Sequence, residues 1–136
     1  LLKLFWECHN QTQGDQQGND RGSQYRSAIY TSTEHQAKLA SASRDWYQTA
    51  LNQQDSAAIT TEIAADQVFF RAEEYHQQYL ARPGSRPYCS AMPSGVLLGD
   101  FAGANYKLPS SVWSHYDWSI SHCVLRGDNS PISLKA

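Results

Sequence analysis

Asp20 and Tyr25 are the residues whose types and setting could do chemistry. Gln17 to Gly22 is a tight polar loop, with glycines at 18 and 22 and an Asn19-Asp20 pair that turns the backbone readily. Gln24 to Thr31 follows, rich in Tyr, Ile and Thr. It predicts a strand with Tyr25, Ser27 and Ile29 on one face and Arg26, Ala28 and Tyr30 on the other. One carboxylate and one phenol are thereby delivered to a single loop–strand junction, a place for hydrogen-bonding chemistry. A turn leading into a core strand accounts for the same residues without any chemistry.

The thiols are the other reactive groups. Cys8, Cys89 and Cys123 are far apart, and an odd, widely spaced set argues against a disulfide-stapled secreted scaffold. No C-x-x-C occurs, and the five histidines do not pair with cysteines at zinc-ligand spacings, so no metal site is expected. Leu1, Leu4, Phe5 and Cys8 fall at i, i+3, i+4 and i+7, which predicts the last turns of an amphipathic helix with Cys8 as a small core residue. His9 closes that helix, where it can meet free carbonyls. Cys89 stands after Arg82-Pro-Gly-Ser-Arg-Pro87, which cannot be regular structure and predicts a mobile segment.

The elements that must position these groups read in order. A chain of 136 residues with formal charge −2 is one domain's worth, and its mixed charge gives no electrostatic case for nucleic acid or an anionic membrane. No apolar run approaches the roughly 20 residues that span a bilayer. Thr33-x-x-Gln36 is a capping box that starts a helix running to about Gln54, with Ala37, Ala40, Tyr47, Ala50 and Leu51 along its inner stripe and Trp46 beside it. Ala58 to Ile63 predicts a second strand and Val68 to Phe70 a short third one. Ala72 to Leu80 predicts a short helix with Tyr75, His76, Tyr79 and Leu80 on one side, packed on the sheet. In the tail, Pro109 to Tyr116 predicts one helix and His122 to Arg126 a strand-like piece.

Phe5-Trp6-Glu7-Cys8-His9, Gln17-Gly-Asn-Asp20, Gln24-Tyr-Arg-Ser-Ala-Ile-Tyr30, Ala72-Glu-Glu-Tyr-His-Gln-Gln-Tyr-Leu80 and Tyr88-Cys89 occur in that order. Together they resemble the A-type peptide methionine sulfoxide reductases, over Leu1 to about Cys89. The resemblance implies an α+β fold, a mixed β-sheet flanked by helices in a ferredoxin-like reductase core. Residues 1–94 would be the C-terminal portion of that domain, incomplete at its N-terminus, and 95–136 an irregular C-terminal extension. The chain departs from the family in three places. It has no Gly-Cys-Phe-Trp nucleophile motif, Asn10-Gln11-Thr12 stands where the family continues Asp-Pro-Thr, and Ser90 to Gly95 replaces a glycine-rich run leading to another cysteine.

What the resemblance implies is reduction of methionine-(S)-sulfoxide, free or in proteins, to methionine. Tyr25 and Tyr79 would donate to the sulfoxide oxygen, Asp20 would orient a tyrosine or a water, and Cys89 would be the recycling thiol. The family's main proton donor is a glutamate outside this chain, so the role does not pass to Glu73 or Glu74. Thioredoxin is the expected reductant and no cofactor is expected. The chain is expected to be monomeric and cytoplasmic, with an organelle open, and inactive alone because the nucleophile lies elsewhere. The alternative is a non-catalytic binding module that keeps the edge of the pocket.

Overall fold

The fold is seen in a computed structural model that describes residues 1–77, 79, 82–84 and 91–105. Trp6 is its centre. It is fully buried, lies in a cluster with Tyr47, Leu51 and Val96, and stacks on Tyr47 with ring centroids 5.4 Å apart. Its indole N–H donates to Ser43 Oγ at 2.9 Å, and Ser43 donates in turn to the Ala40 carbonyl at 2.8 Å. Trp6 belongs to α1 (Leu2–Cys8), and Ser43, Tyr47 and Leu51 belong to α2 (Glu34–Asn52). The small Ser43 lets the indole approach the second helix and satisfies its one polar atom.

The inner face of α1 differs from the expected stripe. Leu1 is fully exposed and Cys8 half-buried, whereas Leu2 and Phe5 pack on the cluster around Trp6. The indole has more apolar area to hide than Leu1 or Cys8 and takes the inward position. Thr33 caps α2 by accepting the Gln36 N–H at 3.1 Å. The reciprocal bond of the box is displaced by one residue, since Gln36 Oε1 accepts from the backbone N–H of Ser32 at 2.8 Å. Ala40, Ser43, Tyr47 and Leu51 form the buried stripe.

Strands β1 (Gln16–Gln17) and β2 (Asp20–Arg21) make a small antiparallel hairpin. Gly18 sits at its first corner with φ 58°, the left-handed value that a two-residue hairpin turn needs there. Strands β3 (Ala28–Thr31) and β4 (Glu62–Ala65) pair in parallel, Ala28 with Glu62 and Thr31 with Ala65, and α2 is the crossover between them. The class is α+β, but the described residues form two separate two-stranded sheets and not one mixed sheet.

Four expected elements are corrected, the first being the strand expected over Ala58 to Ile63, which forms at Glu62–Ala65 where β3 runs beside it. Residues 23–25 form a 3-10 turn, so the strand expected from Gln24 begins only at Ala28, beside its partner β4. Val68, Phe69 and Phe70 have strand-forming side chains but are not in a strand, and they are largely exposed. β-propensity without a hydrogen-bonded neighbour does not make a strand. In 72–80 the described residues include the 3-10 turn Glu74–His76, ended by Gln77 in an extended conformation. Tyr75 and His76 are exposed there and not packed on a sheet. The expected tail elements at 109–116 and 122–126 lie outside the described residues.

Residues 91–105 run as an irregular strap across both helices. Leu98 N–H donates to Glu7 Oε1 at 2.7 Å, and a side-chain carbon added at Gly99 would lie 2.4 Å from the Trp46 ring. Tyr47 O–H donates to the Val96 carbonyl at 2.8 Å and accepts from Ser94, whose oxygen takes the Val96 N–H at 3.2 Å. This closed ring of bonds seats Val96 in the core. Burial holds the Tyr47 phenol above its ordinary pKa, so it stays a neutral donor. Tyr47→Phe should cost about 1–3 kcal/mol, because the buried Val96 carbonyl loses its donor. Trp6→Ala should cost about 3–5 kcal/mol through the cavity it leaves. Denaturant unfolding of the chain measures both, and a Tyr47→Phe midpoint equal to wild type would refute the ring's contribution.

Candidate active site

The loop that carries Asp20 is glutamine-rich, a composition shared with linkers, yet its amides build it. Gln17 Nε2 donates to the Asn10 carbonyl at 2.9 Å, and Gln17 Oε1 accepts the N–H groups of Asn10 and of Met92, each at 3.2 Å. Gln13 Oε1 accepts the Gly18 N–H at 2.8 Å, and Gln16 Nε2 donates to the Gly18 carbonyl at 2.7 Å. These side chains occupy backbone groups that a strand neighbour would otherwise satisfy. They fix the hairpin against Asn10 and the strap.

Asp20 opens β2 and is half-buried. Gly22 follows with φ 134°, a backbone conformation that residues with a side chain rarely adopt. Glycine is required at this step, and the chain enters the turn Ser23–Tyr25, which packs against both hairpin strands. Asp20 and Tyr25 therefore sit on adjoining elements, as the sequence led one to expect, though Tyr25 is on a turn and not a strand. The Tyr25 side chain is 41% exposed, and among the described residues its hydroxyl has no hydrogen-bond partner. A phenol held in the open by its backbone can meet a ligand.

Tyr79 is also about half exposed, and its carbonyl accepts the Arg82 N–H at 3.1 Å. Among the described residues no hydrogen bond or ring contact joins it to Asp20 or Tyr25. Cys89 and Cys123 lie outside the described residues. Cys8, half-buried, places its thiol 3.6 Å from the Phe5 carbonyl. An open cleft of about 300 Å³ lies near the end of α2, lined by residues including Asn10, Thr12, Leu51 and Met92, and none of Asp20, Tyr25 and Tyr79 lines it. Among the described residues no group of three His, Cys, Asp or Glu side chains could hold a metal, and no helix is long and apolar enough to cross a membrane.

Two polar clusters at the site's edge were not foreseen. His9 is one centre. Its Nδ1 is 2.8 Å from the Phe5 carbonyl, which can only accept, so Nδ1 carries the proton. Nε2, at 2.7 Å from Ser27 Oγ, then accepts the Ser27 hydroxyl, and Ser27 Oγ accepts from Thr61 at 2.8 Å. The bonds tie the end of α1 to the residue before β3 and to the one before β4. Burial pushes His9 below its usual pKa, outweighing the carbonyl that favours the charged ring. The other cluster joins Arg26, Tyr30 and Glu62 on the surface. The helix-ending position of His9 was a sequence signal; the partners 27 and 61 were not.

The family profile described as peptide methionine sulfoxide reductase matches residues 1–97. A protein of Rhodospirillum centenum named peptide methionine sulfoxide reductase MsrA is 53% identical over 98 residues, covering 71% of this chain and 43% of that protein. A Nostoc sp. protein named peptide methionine sulfoxide reductase MsrA 2 is 54% identical over 103 residues, 71% of this chain and 46% of its own length. A Vibrio cholerae protein named MsrA is 52% identical over 98 residues, 72% and 46% of the two chains. The chain thus spans less than half the length of these relatives.

The His9 chain has a pH signature. The folded state holds His9 neutral below the pH at which the unfolded chain, with an ordinary pKa near ~6.5, takes up its proton. Its contribution is complete above about pH 6.5 and is lost as the pH falls toward the lowered folded value. Urea titrations between pH 7.5 and 5 should show wild type losing stability more steeply than His9→Gln. Parallel pH dependence in the two would contradict the buried neutral ring.

Proposed function

The chain belongs to the peptide methionine sulfoxide reductase family, and we propose on that basis that the complete protein reduces methionine-(S)-sulfoxide, free or in proteins, to methionine. The attacking thiolate would come from a Gly-Cys-Phe-Trp motif, which these 136 residues do not contain. This chain would supply the pocket edge, with Asp20, Tyr25 and Tyr79, and the recycling thiol, Cys89. The finer fold reading goes with it: residues 1–94 would complete a mixed-sheet, ferredoxin-like reductase core, with 95–136 as an extension.

The reaction explains the residue types. A thiolate attacks the sulfoxide sulfur while the oxygen, a strong acceptor, takes up protons. The sulfur–oxygen bond breaks with loss of water. A water then attacks the cysteine sulfur of the sulfur–sulfur adduct and expels methionine, and the attacking cysteine is left as a sulfenic acid. Hydroxyl donors fixed toward that oxygen lower the barrier, the place for Tyr25 and Tyr79. Asp20 would orient a phenol or a water. Cys89 would then attack the sulfenic sulfur, expelling water and forming a disulfide. Two thiols of thioredoxin would reduce it by exchange. No further cofactor is needed for the balance. The observation that carries the reading is the exposed Tyr25 phenol on a turn packed against the Asp20 hairpin.

Single-turnover reduction of a chiral methionine sulfoxide by the complete protein tests it. Tyr25→Phe should slow the reductive step by about 10²-fold, the usual cost of one lost oxyanion donor, and Asp20→Asn should slow it less. Unchanged rates in both would remove these residues from the mechanism. Cys89→Ser should reduce one equivalent of sulfoxide and then stall as a sulfenic acid that dimedone traps. If Cys89→Ser turns over normally with thioredoxin while Cys123→Ser stalls, Cys123 is the recycling thiol.

A further inference from the structure

Among the described residues no hydrogen bond or ring contact holds the Tyr25 side chain, so the placing of its turn sets the placing of the phenol. The turn Ser23–Tyr25 has no side-chain cap at its start. Its Ser23 carbonyl accepts the Arg26 backbone N–H at 3.2 Å and the Arg26 guanidinium, through Nη1, at 2.8 Å. The same guanidinium donates through Nε to Glu62 Oε2 at 2.9 Å and through Nη2 to the Tyr30 hydroxyl at 2.9 Å. Tyr30 in turn donates to Glu62 Oε2 at 3.2 Å. Tyr30 is on β3 and Glu62 on β4. One planar fork therefore bolts the turn to both strands of the parallel pair, and each of its three nitrogens is used in a different direction.

From this geometry we infer that Arg26 is a positioning residue for the reaction, acting through Tyr25. The inference rests on the role proposed for Tyr25 above. Energy alone does not account for such a cluster. Arg26 and Glu62 are both well exposed to solvent, where an ion pair contributes little to stability. What the cluster supplies is direction. A fixed guanidinium plane is a rigid template, and a lysine in its place keeps the charge while losing the three-way fork. Arg26 lies outside the reacting groups and need not touch substrate. Its removal lets the turn, and with it the phenol, shift away from a place where displacements of about 1 Å can cost up to ~10² in rate.

A double-mutant cycle in the complete protein tests this, read as the single-turnover rate of sulfoxide reduction together with substrate KM and thermal melting. Arg26→Lys should slow the reductive step about tenfold, with KM and the melting temperature close to wild type. Tyr30→Phe, which removes one of the three anchors, should slow it less. In a Tyr25→Phe background, Arg26→Lys should have no further effect, because the group it aims is gone. The inference is overturned if Arg26→Lys reacts at the wild-type rate, if its effect multiplies fully with that of Tyr25→Phe, or if the rate falls only in step with loss of folded protein. A wild-type rate in Tyr25→Phe alone is a different failure: it overturns the role of Tyr25, and the positioning role with it.

Discussion

Everything described here depends on finding a place for one indole. Trp6 has a large apolar body and a single N–H, and it must bury the first without orphaning the second. Hiding roughly 150–250 Å² of aromatic surface is worth on the order of 4–6 kcal/mol at about 25 cal/mol per Å². That is ample reason for a short, uncapped helix to hold its place. The solution is a serine on α2, small enough to admit the ring and polar enough to take its proton. With α1 docked in that way, His9 at its end reaches Ser27, and through it Thr61, and the strand pair is tied to the helices. Glu7, on the same short helix, holds the strap from the other side.

The irregular parts obey the same rule about polar groups by other means. Helices and paired strands satisfy their own backbone; the loop from Asn10 to Gly22 does so only in its short hairpin. It uses glutamine amides as substitutes for a neighbouring strand, and Gln17 serves both the Asn10 backbone and the strap. A side chain with a donor and an acceptor at the end of a flexible stem suits that work. The glutamine-rich composition of the segment is therefore structural.

Core and candidate site use opposite strategies. The core hides aromatic surface and closes its hydrogen bonds in rings, as at Tyr47, Ser94 and Val96. The edge that carries Asp20 and Tyr25 leaves its phenol partly open to solvent, on a turn whose backbone is hydrogen-bonded beneath it. A phenol left partly open to solvent takes its direction from the turn that carries it.

The sequence by itself determined the elements whose signals are local. The Thr33 cap, the long helix after it and its stripe through Ala40, Tyr47 and Leu51 depend on contacts within a few residues, and they appear close to where the spacing put them. The ordered motifs around Phe5-Trp6, Gly18-Asn19-Asp20 and Gln24-Tyr25 were enough to identify the family, because order and spacing survive without coordinates. Only the tertiary structure decided which face of α1 turns inward, since the stripe at 1, 4, 5 and 8 and the one at 2, 5, 6 and 9 fit a helix equally well and the choice belongs to α2. It also decided that Tyr25 sits on a turn: a strand exists only where a partner runs beside it, and β4 offers that partner from Ala28 onward. The bonds from His9 to Ser27, from Ser27 to Thr61 and from Arg26 to Glu62 join residues distant in the chain. No local pattern encodes those pairings, because hydrogen bonds across the fold are chosen by proximity, which the chain acquires only on folding.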